Sequence, residues 1–223
     1  FGDLVTMKWW NGIWLNEAFA TFMATKAVDK VNPDWERWVQ FGFERSAAFD
    51  VDSLEETRPI EYEVISPDDA SGMFDLLTYE KGGSVLRMLE QYLGEQSFQD
   101  GVKKYLKIHP YSNTDTKDLW ESLEKSTNEP VEKTMESWIF QPGFPQLMVS
   151  EENNSLKLEQ NIFKYENTSN KNQVWKIPIV IKSFTESDKS IYKTLMEENK
   201  KYIDLNNSPD IFHLVNVGGD GFY

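Results

Sequence analysis

The carboxylate of Glu17 is the first side chain whose setting could do chemistry. On a helix its neighbours one turn away are Ile13, Trp14, Ala20 and Thr21, with no Lys or Arg among them. A helical Glu is ordinarily solvated and needs no partner. Buried ionised on such an apolar, aromatic face, it would need a cation or a metal beside it. Tyr79 stands in Thr78-Tyr79-Glu80-Lys81-Gly82-Gly83, ahead of an apolar-periodic segment. A tyrosine before a helix ordinarily packs, yet a phenol held beside a metal can also stabilise the oxyanion of a tetrahedral intermediate without being consumed. Gly82 and Gly83 would let backbone pack closely behind it.

Other motifs read as structural. His109 and His213 lie far apart and belong to no H-x-x-x-H pair, so both are expected to be surface or helix-end residues. Asp50-Val51-Asp52 begins like a calcium loop but lacks the central Gly, and reads as an exposed acidic turn. Gly218-Gly219-Asp220-Gly221 reads as a hairpin turn. Asn153, Asn167 and Asn206 satisfy the loose glycosylation pattern, as chance matches in Asn-rich loops. Arg87 is expected to serve a structural salt bridge.

The elements that must position Glu17 and Tyr79 are helical. Leu15, Phe19, Phe22 and Met23 fall on one stripe and predict a helix over Trp14 to Val28. Pro33-Asp34 opens a second helix through Ala48, with Asp34 as its cap and Trp35, Trp38, Val39 and Phe43 facing inward. Residues 50–66 read as an irregular acidic loop. The apolar positions from Leu76 to Leu93 mark a helix pair stopped by Gly94, and further helices are expected over Ser97 to His109, Thr116 to Ser126 and Val131 to Phe140. At Gln141-Pro142-Gly143-Phe144-Pro145 the pattern breaks. Beyond it Leu156, Leu158, Gln160 and Ile162, then Trp175, Ile177, Ile179 and Ile181, alternate with period two, followed by apolar segments at 191–196, 202–205 and 211–217. The fold class expected is α+β, with a helical part over 1–141 and a small antiparallel β-sandwich over 142–223.

Composition narrows the function classes. The 23 basic and 37 acidic residues give a formal charge of −14, which opposes nucleic-acid phosphates and anionic membrane surfaces as partners. Hydrophobic residues at 39% and aromatics at 14%, including eight tryptophans, exclude a disordered chain. No apolar run is long enough to span a bilayer. With no cysteine, disulfides, thiolate metal sites and a cysteine nucleophile are all excluded. This fits a reducing compartment, and a cytoplasmic location is expected. Both ends of the chain interrupt a pattern, which suggests a piece of a longer protein.

The string from Gly2 to Ala20, including Leu4-Val5-Thr6, Trp9-Trp10 and Trp14-Leu15-Asn16-Glu17, resembles the segment after the zinc motif of gluzincin aminopeptidases, the aminopeptidase N family. The family pattern is H-E-x-x-H-x-W-F-G-x-L-V-T followed by W-W-x-x-x-W-L-N-E-G-F-A, whose last Glu is the third zinc ligand. By position that ligand is Glu17. Asp3 stands where many members have Asn, and Ala18 where many have Gly; neither change removes a ligand. Tyr79-Glu80-Lys81-Gly82 resembles the family's Y-x-K-G segment, whose tyrosine hydroxyl points at the substrate carbonyl. Trp138 to Pro145 resembles the junction between the catalytic domain and its β-sandwich, and Val215 to Tyr223 the end of that sandwich.

The resemblance implies the helical C-terminal part of a thermolysin-like catalytic domain, and a parent enzyme that uses zinc to release N-terminal residues from peptides. Both histidine ligands and the general-base Glu would then lie just before Phe1, and the remaining N-terminal and C-terminal domains would lie outside the chain. Alone, this chain is expected to be inactive and to hold no zinc. The alternative is a non-catalytic protein-binding scaffold on the same fold. Nothing in composition or spacing alone decides between them, but a scaffold has no chemical need for Glu17 and Tyr79 together.

Overall fold

The computed structural model describes residues 1–152, 155–165, 173–184, 189–204 and 211–223. The glycosylation-pattern asparagines Asn153, Asn167 and Asn206 lie outside the described residues. The fold is α+β: seven α-helices run up to Ile139, and strands take over from Pro145.

Helix α1 (Trp14–Val31) buries Trp14, Leu15, Ala18, Phe19, Phe22 and Thr25. Its stripe is the expected one except for Met23, which is 40% exposed. A short parallel pair anchors the chain just before it, β1 (Val5–Met7) beside β2 (Ser112–Thr114). Three residues on each side are too few to show a period, and the sequence reading placed no strand there.

The second helix departs from expectation. Pro33–Trp35 forms a separate 3-10 turn, Glu36 takes a left-handed conformation (φ 47°), and α2 runs from Arg37 to Asp52. Asp34 therefore caps nothing in α2. The break resets the helical phase: Trp38 packs against the core and Phe41 is buried, while Trp35, Val39 and Phe43 point outward at 66%, 59% and 74% exposure. Asp52, expected in an exposed acidic turn, is the last residue of α2 and is fully buried.

After a connecting loop, Ser66 and Asp69 form a reciprocal capping box on the short helix α3 (Pro67–Gly72), which the periodicity had not revealed. A π-helical turn, Leu77–Lys81, leads directly into α4 (Gly82–Leu93), and Gly94 (φ 91°) ends that helix as expected. Helices α5 (Glu95–Ile108), α6 (Thr116–Thr127) and α7 (Val131–Ile139) follow closely as read, with Asp115 and Asp118 forming the capping box of α6.

The strands form two three-stranded antiparallel sheets. One is ordered β3-β4-β7, from β3 (Pro145–Glu152), β4 (Ser155–Ile162) and β7 (Lys200–Ile203). The other is β6-β5-β8, from β5 (Ile177–Phe184), β6 (Lys189–Met196) and β8 (Phe212–Val215). The period-two residues Leu156, Leu158, Ile177, Ile179 and Ile181 are buried and join the same apolar core as the helices. After β8, Val217–Gly219 makes a 3-10 turn rather than the expected hairpin. No strand follows it, and the chain instead buries Phe222.

Helices α5 and α6 touch through a glycine. A Cβ at Gly101 would lie 2.6 Å from Leu123 Cδ2 and 3.0 Å from Leu123 Cα, whereas a Cβ at Gly42, inside α2, would meet nothing within 4 Å. Alanine has the better helix propensity at both sites, so the space available decides the sign. Gly42→Ala should raise stability by up to about 1 kcal/mol. Gly101→Ala should lower it by about 1–3 kcal/mol through overpacking. Urea or thermal midpoints of the two variants check this; midpoints shifted in the same direction would contradict it.

Candidate active site

The π-helical turn and α1 meet where Gly82 faces Ala18. A Cβ on Gly82 would sit 2.8 Å from the Ala18 Cβ, so Gly82 permits the close approach, whereas one on Gly83 would meet Thr21 Cγ2 at an ordinary 3.4 Å. Ala18, where the resembling family often has Gly, is accommodated because position 82 carries no side chain. The contact sets Glu17, one residue before Ala18, beside Tyr79, three residues before Gly82.

Both side chains are half-buried. Burial pushes the Tyr79 phenol up to about 12, and the Glu17 carboxylate beside it, as hydrogen-bond partner and as negative charge, pushes it the same way. Tyr79 is thus held protonated, as a hydrogen-bond donor at neutral pH. Glu17 makes no ion pair with a Lys or Arg among the described residues. Those residues contain no group of three His, Cys, Asp or Glu side chains that could hold a metal. A half-buried carboxylate without a cation fits a metal ligand by its chemistry, and this chain contributes that one carboxylate.

Two ionic clamps hold the turn carrying Tyr79. At its start, Asp75 Oδ1 accepts the backbone N–H groups of Leu77 (2.9 Å) and Thr78 (3.1 Å), while Arg58 bonds Asp75 at 2.5 Å and Thr78 Oγ1 at 3.0 Å. At its end, Lys81 is fully buried and paired at 2.7 Å with the fully buried Asp52. Sequence reasoning singled out none of these four as site residues. Asp75 with Thr78 carries the Asx-type spacing that could have flagged the first clamp. The second joins residues distant in sequence: Lys81 stands in the Y-x-K-G-like string, but nothing local pointed to Asp52 as its partner.

The remaining candidates fall elsewhere. Arg87 is structural as read: it bonds Glu90 at 2.8 Å and Asp220 at 3.1 Å, and lies 3.9 Å over the Trp38 ring. His109 follows the end of α5 and packs on Tyr105, and His213 on β8 bonds Ser183 at 2.8 Å. An open groove of about 620 Å³ lies among Trp9, Trp10, Ile65, Pro67 and Phe74, and neither Glu17 nor Tyr79 lines it. Among the described residues no helix is long and apolar enough to cross a membrane.

Comparison with known proteins identifies the family. Residues 1–138 match the peptidase family M1 domain. The whole chain is 42% identical over 224 residues to tricorn protease-interacting factor F2 of Thermoplasma volcanium, and 42% identical over 225 residues to probable aminopeptidase 2 of Sulfurisphaera tokodaii. It is 38% identical over 225 residues to leucyl aminopeptidase of Saccharolobus solfataricus. The chain spans only 27% or 28% of the length of these relatives. The domain match over more than half of its residues shows that the chain belongs to peptidase family M1, the aminopeptidase N family.

Proposed function

We propose that this chain is part of a zinc aminopeptidase that hydrolyses N-terminal residues from peptides, with Glu17 as a zinc ligand and Tyr79 as the catalytic donor to the substrate carbonyl. In this reading residues 1–141 form the helical C-terminal part of the catalytic domain, residues 142–223 form the β-sandwich domain, and the histidine ligands and general base come from outside the chain. The observation that carries the reading is the juxtaposition, at the Gly82–Ala18 contact, of a phenol and a half-buried carboxylate that has no Lys or Arg partner among the described residues.

Zinc, when bound, would supply Lewis-acid polarisation of the scissile carbonyl and an activated water. Glu17 would hold the metal with a carboxylate oxygen. Tyr79 would donate its hydroxyl hydrogen bond to the carbonyl oxygen as negative charge develops there.

Two substitutions in the full-length protein test the roles separately. Glu17→Gln should lower zinc affinity and peptidase activity together by more than about 100-fold. Tyr79→Phe should keep zinc and KM while lowering kcat about 100- to 1000-fold, the usual cost of one oxyanion donor. Metal analysis and steady-state kinetics on an aminoacyl-anilide read both. Unchanged zinc content in Glu17→Gln together with full activity in Tyr79→Phe would remove the roles given to these two residues; a full-length protein with neither bound zinc nor peptidase activity would remove the enzyme reading and leave a protein-binding scaffold.

A further inference from the structure

The fully buried pair Asp52–Lys81 lies two residues along the backbone from Tyr79, and Gly143 meets both of its members. Lys81 Nζ is ion-paired with Asp52 Oδ2 at 2.7 Å and donates to the Gly143 carbonyl at 3.0 Å. Asp52 Oδ1 accepts the Gly143 N–H at 2.9 Å and the Thr57 hydroxyl at 2.7 Å. The Phe222 ring lies 5.8 Å from Nζ. Gly143 belongs to the Pro-Gly link between helices and strands, and its φ of 80° lies in the region that favours glycine. Lys81 itself ends the π-helical turn, a backbone form found mostly as single turns and frequently at functional sites.

We infer that Asp52 and Lys81 are positioning residues for Tyr79: the ion pair, closed by both backbone groups of Gly143, fixes the π-helical turn in the phase that sets Tyr79 beside Glu17. The inference rests on the role proposed for Tyr79. A solvated lysine could not do this, because its long side chain would leave the turn free to relax to α-helical spacing and rotate the phenol away. A buried lysine with one carboxylate and one carbonyl in reach has a single placement. It also makes the strand-bearing part of the chain a structural requirement of the site, since Gly143 and Phe222 close the pocket around the ammonium.

Lys81→Met alone would strand a buried Asp52 and could unfold the protein, so the informative variant is Asp52→Leu/Lys81→Met, which removes both charges. The probe is 3-fluorotyrosine at position 79 in the zinc-loaded full-length protein, read by fluorine NMR alongside kinetics. The double variant should keep zinc, shift or broaden the fluorine line, hold KM within about twofold and lower kcat about 10- to 100-fold, with no further loss in a Tyr79→Phe background. An unmoved fluorine line with wild-type kcat, or an equal loss in the Tyr79→Phe background, would overturn the inference. Should Tyr79→Phe be fully active while the line still moves, the catalytic role of Tyr79 falls but its positioning by the pair stands.

Discussion

A lysine ammonium and a carboxylate share the interior where the helical and strand-bearing parts meet, and the arrangement around them follows from satisfying both. Burial pushes the Lys81 ammonium below the ordinary lysine range, and the attraction of Asp52 pulls it back up. Such a pair contributes little net stability. Replacing both members by apolar groups is often neutral, whereas removing one costs about 3–5 kcal/mol because the other charge is left unpaired. Its effect is on geometry. Asp52 must end α2 inside the protein, Lys81 must end the π-helical turn facing it, and Gly143 must present both its N–H and its carbonyl to the same point.

The candidate site grows outward from that constraint. With Lys81 fixed at one end and the Arg58–Asp75 clamp holding Leu77 and Thr78 at the other, the turn between them has little freedom. Gly82 then lets the turn approach α1 as closely as Ala18 allows, and Tyr79 comes to rest beside Glu17. Further along α4, Glu90 is buried and bonded to Lys26 of α1 at 2.6 Å, so the two helices are tied again beyond the site. With the phenol ring held in place, the hydroxyl would need only to rotate its O–H bond from the Glu17 carboxylate to a developing charge nearby.

Local signals were legible where they recur or where one residue sets the backbone. The stripe of α1, the stop at Gly94 and the alternation of β4 and β5 all emerged from residue types within a few positions. Glu17 and Tyr79 stood out because their neighbours were unusual and because the strings around them resemble one family. What escaped depends on distant partners. Trp35, Val39 and Phe43 are spaced as a buried stripe would be, but the left-handed Glu36 resets the phase of α2 and turns them outward. Asp52 looked like part of an acidic turn because the lysine that buries it lies in another element. The β1–β2 pair joins short segments from opposite ends of the helical part, and neither has a period of its own.

The central claim is that the Glu17 carboxylate and the Tyr79 hydroxyl face a common metal-bound reacting centre. The most direct measurement is a crystal structure of the zinc-loaded full-length protein with data collected at the zinc absorption edge. The account predicts an anomalous peak about 2.0–2.2 Å from a Glu17 carboxylate oxygen, with the Tyr79 hydroxyl on the same side of the metal. A zinc peak ligated without Glu17, or a Tyr79 hydroxyl turned away from it, would contradict the account.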